Sequence, residues 1–155
     1  MKTIILYATK HGAAGEIAQR IAEKIDGAVV HDLKQALPSL ADFDCIIVGG
    51  SIYAGSIRKE AKTFLTKNAE ILKEKKLGLF LCGLDSSGKA AYFEKNIPAD
   101  ILQTAKAKSF LGGIFDPKKT GAMERFIIKI VTKQSCYMST IKDEKIVKFA
   151  EQMKA

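Results

Sequence analysis

Continuously apolar segments that alternate with helix-like segments constrain the fold of this chain most strongly. Four such runs lack in–out alternation, and a weaker fifth candidate covers residues 27–32; the four are TIILYA, DCIIVGGS, LGLFLCG and SFLGGIF. Such runs are typical of parallel strands that are covered on both faces. Between them, apolar residues recur at helical spacing, as at Ile17, Ile21 and Ile25. The alternation predicts an α/β fold, a doubly wound parallel sheet of five strands with helices on both faces.

The length and the cysteines limit the class of protein. The 155 residues predict a single domain over residues 1–155. No apolar run approaches the roughly 20 residues that span a bilayer, and the opening run is too short for a secretion signal. The cysteines Cys45, Cys82 and Cys136 show no metal-type spacing, and the first two lie in apolar runs. Buried, reduced thiols are typical of a cytoplasmic protein.

The net charge of +8 is the unusual feature of the composition. A basic surface can meet nucleic acid, an anionic membrane or an acidic partner, and it can also reflect only a lysine-rich soluble surface. The chain contains no nucleic-acid recognition motif, so we expect no nucleic-acid partner.

Ligands of such sheets bind beyond the carboxyl ends of the strands. The first of these loops, TKHGAAGE, leads directly into a helix, whose unpaired N–H groups suit a phosphate. Its spacing is neither that of a dinucleotide fingerprint nor that of a P-loop. Taken alone, the loop fits a phosphate site and a plain tight turn equally well. The candidate phosphate residues are Thr9, Lys10, His11, Gly12, Ala13 and Ala14.

Two later loops follow the third and fourth strands. In the first, an aromatic side chain, Tyr53, either stacks on a flat ring or covers a turn at the surface. In the second, Asp85 and Ser86 either bind a polar ring edge or cap the next helix. The candidate ring-binding residues are Ser51, Ile52, Tyr53, Ala54, Gly55, Gly83, Leu84, Asp85 and Ser86.

Together the three loops resemble those of the flavodoxin family, whose first loop reads close to T-x-T-G-x-T. The resemblance implies a flavodoxin-like sheet and FMN as cofactor, with the phosphate on residues 9–14 and the ring between the other two loops. His11 and Ala14 stand where the family has hydroxyls, and a protonated His11 would partly compensate. The third loop lacks the family's ring-covering tyrosine, and Gly88 falls near that place.

Three segments resemble the flavodoxin-like menaquinone-dependent protoporphyrinogen IX dehydrogenase group more closely: MKTIILYATKHG, IIVGGSIYAG and GGIFDPKKTGAMERFIIKIVTK. This resemblance implies an FMN-dependent oxidoreductase of heme biosynthesis that oxidises a tetrapyrrole and reduces a quinone. It also implies contact with the inner face of the membrane. The region before SFLGG is shorter than in the enteric enzyme, which carries a basic insertion there.

The last of these segments predicts a basic amphipathic helix over residues 122–134. Its apolar stripe is Met123, Phe126, Ile127, Ile130 and Val131, and its cations are Arg125, Lys129 and Lys133. Such a helix can lie on an anionic membrane. It can also cover the sheet with a solvated lysine edge, which the spacing alone favours.

No catalytic residue and no metal site is predicted. His11 and His31 are the only histidines, and neither has a cysteine or carboxylate at ligand spacing in the sequence. Flavin chemistry needs little more than placement and electrostatics from the protein. Two alternatives remain beside the enzyme: a non-enzymatic electron carrier of the flavodoxin type, whose partner is another redox protein, and a flavodoxin-fold binding domain that has lost flavin.

Overall fold

The computed structural model describes residues 1–132 and 136–155 and contains one central sheet. Its strands, with two short ones outside it, are β1 (Thr3–Ala8), β2 (Val29–Asp32), β3 (Cys45–Tyr53), β4 (Ser56–Ile57), β5 (Lys76–Cys82), β6 (Ala107–Phe110), β7 (Ile114–Phe115) and β8 (Met138–Ser139). Five of them run parallel in the order β2-β1-β3-β5-β6, and β4 adds an antiparallel hairpin to β3. The expected doubly wound sheet of five parallel strands is confirmed.

Helices cover both faces of this sheet. The helices are α1 (Ala13–Ala22), α2 (Lys59–Lys67), α3 (Ala69–Glu74), α4 (Lys89–Asn96), α5 (Ala99–Thr104), α6 (Ala122–Thr132) and α7 (Asp143–Lys154), and of these α6 lies away from the sheet. One buried cluster joins the sheet to α1 and α7, and a second joins the opposite face to α2, α3 and α5. Consecutive residues of β1 alternate between the clusters, Ile4 in one and Ile5 in the other. Burial on both faces explains why the strands are apolar throughout.

The last apolar run, SFLGGIF, does not form one strand. It ends the sheet as β6 and then turns at Gly112, whose φ of +90° is a conformation that favours glycine. A Cβ atom on Gly113 would lie 2.6 Å from the carbonyl carbon of Gly83, so only glycine fits this close backbone approach. The chain leaves the sheet here, and β7 pairs with β8 instead.

Helix α6 lies in this excursion between β7 and β8, and its predicted stripe does not cover the sheet. Met123, Phe126 and Ile130 are 78%, 64% and 63% exposed. The preference for a sheet-covering helix is therefore wrong for these residues, because the chain has already left the sheet at Gly112. Lys133 lies outside the described residues, as do residue 134 and the side chains of Ile127 and Val131. None of the helices in the described part of the chain is long and apolar enough to cross a bilayer.

Candidate functional site

A cavity of about 360 Å³ opens at the carboxyl ends of β1, β3 and β5. Its volume falls within the range of about 300–1,000 Å³ that is typical of small-molecule sites. The walls come from three strand-exit loops, from α4, from the turn before β7 and from α6. They are formed by Thr9, Lys10, His11, Ala13, Ser51, Ile52, Tyr53, Ala54, Gly55, Cys82, Gly83, Leu84, Asp85, Tyr92, Gly113, Ile114 and Ile128.

Most residues that the sequence proposed for the site line this cavity, and three do not. Ala14 is fully buried in the core beneath α1, so its side chain faces the sheet. Gly12 forms the N-terminal cap of α1 behind the cavity wall. Ser86 is exposed outside it. The structure therefore brings the three loops together at one edge, as parallel topology requires.

The first loop presents the amino end of α1 to the cavity. Gly12 has a φ of +100°, which turns the chain sharply from β1 into the helix. Its N–H donates to Thr9 Oγ1 at 2.9 Å, so the hydroxyl of Thr9 fixes the loop. The N–H groups of the first helical turn have no partner within the helix and carry partial positive charge. The local geometry is that of an anion site.

A carboxylate from α6 reaches this loop. Glu124 Oε2 lies 2.6 Å from Nε2 of His11, and Glu124 Oε1 pairs with Nζ of Lys10. The same Lys10 Nζ lies 3.8 Å from the ring centroid of Tyr53, a cation–π contact. Sequence reasoning missed Glu124 because it lies 113 residues from His11 in the chain, and no spacing connects them. The fold supplies the carboxylate partner that the sequence around His11 lacks.

The charge of His11 depends on opposing neighbours. Burial, together with the cations of Lys10 and Arg58, lowers the pKa of His11, while its hydrogen bond to the backbone of Lys119 acts against the shift. The carboxylate of Glu124, 2.6 Å away, also favours the charged form. Positive charge at the loop therefore rests first on Lys10 and Lys119.

The β3–β4 hairpin holds Tyr53 at the cavity. Its two-residue turn has positive φ at both positions, 51° at Ala54 and 79° at Gly55, which matches the twist of the flanking strands. The buried side chain of Asn96 in α4 fastens this hairpin, since it accepts a hydrogen bond from the N–H of Ile57 and donates one to the carbonyl of Gly55. Tyr53 is thus carried on a turn that Asn96 attaches to α4.

A second aromatic side chain, Tyr92, comes from α4. A Cβ atom on Gly88 would lie 3.4 Å from Cζ of Tyr92, so this ring stands beside the place where the family's tyrosine was expected. Its hydroxyl donates to the carboxylate of Asp85 at 3.2 Å. Asp85 also accepts from the N–H and the hydroxyl of Ser87, which lowers its pKa. Sequence reasoning missed Tyr92, although its position one helical turn after Gly88 is a usable signal.

The floor of the cavity has polar and apolar parts. The Oγ atom of Ser51 is buried without a hydrogen-bond partner among the described residues, and Ser51 lines the cavity. A buried polar atom without a partner is costly, so a ligand that binds Ser51 would satisfy it. Burial raises the pKa of Cys82 to about 12, so its thiol is not ionised near neutral pH. Within residues 1–132 and 136–155, no three side chains of the metal-ligating types come together.

Comparison with known proteins identifies the family. A family model described as a flavodoxin domain matches residues 4–141. The chain belongs to the flavodoxin domain family. The matched residues of this flavodoxin domain include every residue that lines the cavity, and also Glu124. No curated protein matches the chain.

Solved structures share the fold of this flavodoxin domain at low sequence identity. Flavodoxin 1 from Bacillus cereus is 15% identical over 99% of this chain and 97% of its own, with a TM-score of 0.57. A short-chain flavodoxin associated with a non-canonical PDU bacterial microcompartment is 16% identical over 99% and 96%, with a TM-score of 0.60. A flavoprotein from Lactobacillus acidophilus NCFM, solved in complex with FMN, is 14% identical over 70% and 92%, with a TM-score of 0.53.

Proposed function

We propose that this flavodoxin domain binds FMN in the cavity. The phosphate would lie on the loop of residues 9–14, where α1 directs its first N–H groups outward. The ring would lie between Tyr53 and Tyr92, with its polar edge near Ser51. The unpaired hydroxyl of Ser51 is the observation that carries the assignment, and the L. acidophilus flavoprotein supports it with bound FMN. Bound FMN accepts and donates one or two electrons.

The residues of the chain place and shield the ring. Ile52, Leu84 and Ile114 are apolar wall residues that exclude water from a flat ligand. The carboxylate of Asp85 accepts hydrogen bonds from Ser87 and Tyr92, so it stabilises the conformation of the third loop. No side chain is assigned as a proton donor.

We further propose that the protein is an oxidoreductase that oxidises protoporphyrinogen IX and reduces a quinone. Support comes from α6, which lines the cavity with Ile128 and exposes Met123, Phe126 and Ile130 on its outer side. The nearby cations Arg125 and Lys129 are exposed as well. A surface that is apolar and cationic suits a hydrophobic substrate with carboxylates and a quinone held in an anionic membrane.

A non-enzymatic electron carrier is the second candidate. The flavodoxins of B. cereus and of the PDU microcompartment favour it, because each covers nearly the whole chain with the same fold. The net charge of +8 then predicts an acidic redox partner.

Three measurements test these proposals. First, purified protein is titrated with FMN and its visible spectrum is recorded; a sample that stays colourless at saturating FMN leaves only the reading of a binding domain without flavin. Second, protoporphyrinogen is supplied anaerobically with a menaquinone analogue. Turnover supports the enzyme, whereas reduction by a flavodoxin reductase without turnover supports the carrier.

Sedimentation with anionic and with neutral vesicles tests membrane contact, and equal recovery from both contradicts it.

A further inference from the structure

The carboxylate of Glu124 lies at the loop where the FMN phosphate is proposed to bind. It contacts both Lys10 and His11, the two loop side chains that carry positive charge or can acquire it. A phosphate-binding site attracts anions. Here the chain itself supplies an anion to the loop, the carboxylate of Glu124. The inference that follows rests on the proposed function.

Helix α6 connects this contact to the protein surface. Glu124 and Ile128 lie four residues apart, on the side of α6 that faces the loop and the cavity. Met123, Phe126 and Ile130 follow an i, i+3, i+7 spacing and are exposed on the other side. If α6 moves away from the loop together with Glu124, the apolar surface moves as well.

We propose that Glu124 is an internal anion that competes with the FMN phosphate for Lys10 and His11, so that FMN binding releases α6 from the loop. Two anions in direct contact with the same cations repel each other. The phosphate has the advantage, because it carries up to two negative charges and also accepts from the N–H groups of α1. Lys119 adds a further cation, since its Nζ lies 3.9 Å from where a Cβ atom on Gly12 would stand.

Through this competition, the position of the apolar surface of α6 would depend on whether FMN is bound. Without FMN, Glu124 neutralises the loop and holds the helix over the cavity. With FMN, the carboxylate is displaced and the helix is free to meet a partner. The apolar surface, which is already exposed while Glu124 contacts the loop, would thus become free to move relative to the cavity when the flavin is present.

The variant Glu124→Gln tests the competition, and Glu16→Gln is the matched control. Glu16 lies in the first turn of α1 and pairs with Arg20, not with Lys10 or His11. At fixed ionic strength, Glu124→Gln should bind FMN at least about 10-fold more tightly, while its affinity for riboflavin, which lacks the phosphate, stays unchanged. Glu16→Gln should change FMN affinity less than about threefold, since its charge acts only through solvent.

Hydrogen exchange of residues 122–132 gives a readout that does not depend on activity. In the unsubstituted protein, FMN should speed exchange in this segment, and Glu124→Gln should show the faster exchange already without FMN. Greater protection of the segment on FMN binding would overturn the inference, and this result needs no variant. Unchanged or weaker FMN binding by Glu124→Gln would overturn it too and leave the proposed function intact. If neither protein binds FMN at all, the proposed function itself fails, and the competition fails with it.

Discussion

Replacing Asn96 by alanine should destabilise the protein and loosen the ring-binding hairpin. The amide of Asn96 is buried, and it makes three hydrogen bonds: from the N–H of Ile57 at 2.9 Å, to the carbonyl of Gly55 at 3.0 Å and to the carbonyl of Tyr92 at 2.8 Å. Two of these join α4 to the β3–β4 hairpin. No other buried polar side chain connects these two walls of the cavity among the described residues.

The expected size of the effect comes from these contacts. Each hydrogen bond contributes about 1 kcal/mol net, and a buried N–H left without a partner, here that of Ile57, costs about 1–3 kcal/mol. With about 1 kcal/mol for each of the two bonds to carbonyls and about 1–3 kcal/mol for the unpaired N–H, Asn96→Ala should lower the free energy of unfolding by about 3–5 kcal/mol. Because small domains have only about 5–15 kcal/mol of stability in all, the change should be large.

Urea denaturation followed by far-UV circular dichroism measures this loss, since the chain contains no tryptophan. Asn68→Ala is the control, because the amide of Asn68 makes one hydrogen bond, to the carbonyl of Phe64 one turn earlier. It should cost less than about 1 kcal/mol. The reasoning is refuted if Asn96→Ala costs no more than this control. FMN affinity should also fall in Asn96→Ala, because the turn that carries Tyr53 loses its attachment.

Three further expectations follow from burial and close packing. Gly113→Ala should lower the melting temperature, because its Cβ atom would meet the backbone of Gly83 at 2.6 Å. Gly121→Ala should not, because no atom lies within 4 Å of its Cβ atom. Equal melting temperatures for the two variants would contradict the packing. In the native protein only Cys136 should react with a thiol reagent, and all three cysteines should react after denaturation; native labelling of Cys82 would contradict its burial. Folding raises the pKa of Cys82 from 9.0 to about 12, so the thiol of the unfolded chain loses its proton at lower pH than that of the folded chain. The free energy of unfolding should therefore fall as pH rises above about 9. A free energy of unfolding that stays constant above about pH 9 would contradict this expectation.

The sequence predicted the sheet and most of the cavity wall. Runs such as the one that holds Ile4 and Ile5 are apolar throughout because both faces of a central parallel strand are buried, and this is a local property of composition. Parallel topology then places every strand exit at one edge, so the sequence predicts one site for Thr9, Tyr53 and Asp85, and all three line the cavity.

The sequence failed where side chains meet from distant parts of the chain. Nothing near His11 indicates that Glu124 would reach it, because that contact depends on where α6 leaves the sheet. The stripe of Met123 and Phe126 looks the same in sequence whether it covers a sheet or faces solvent. Tyr92 reaches the cavity from α4, a helix that Asn96 joins to the hairpin through contacts between distant parts of the chain.

The amino-acid order by itself thus determined most of the strands and helices and the edge at which the cavity lies, because periodicity and strand burial are local properties of the sequence. Only the tertiary structure decided which charges oppose each other at the phosphate loop and which face of α6 is exposed. The physical reason is that a contact such as Glu124 with Lys10 depends on distance in space, and separation along the chain does not fix that distance.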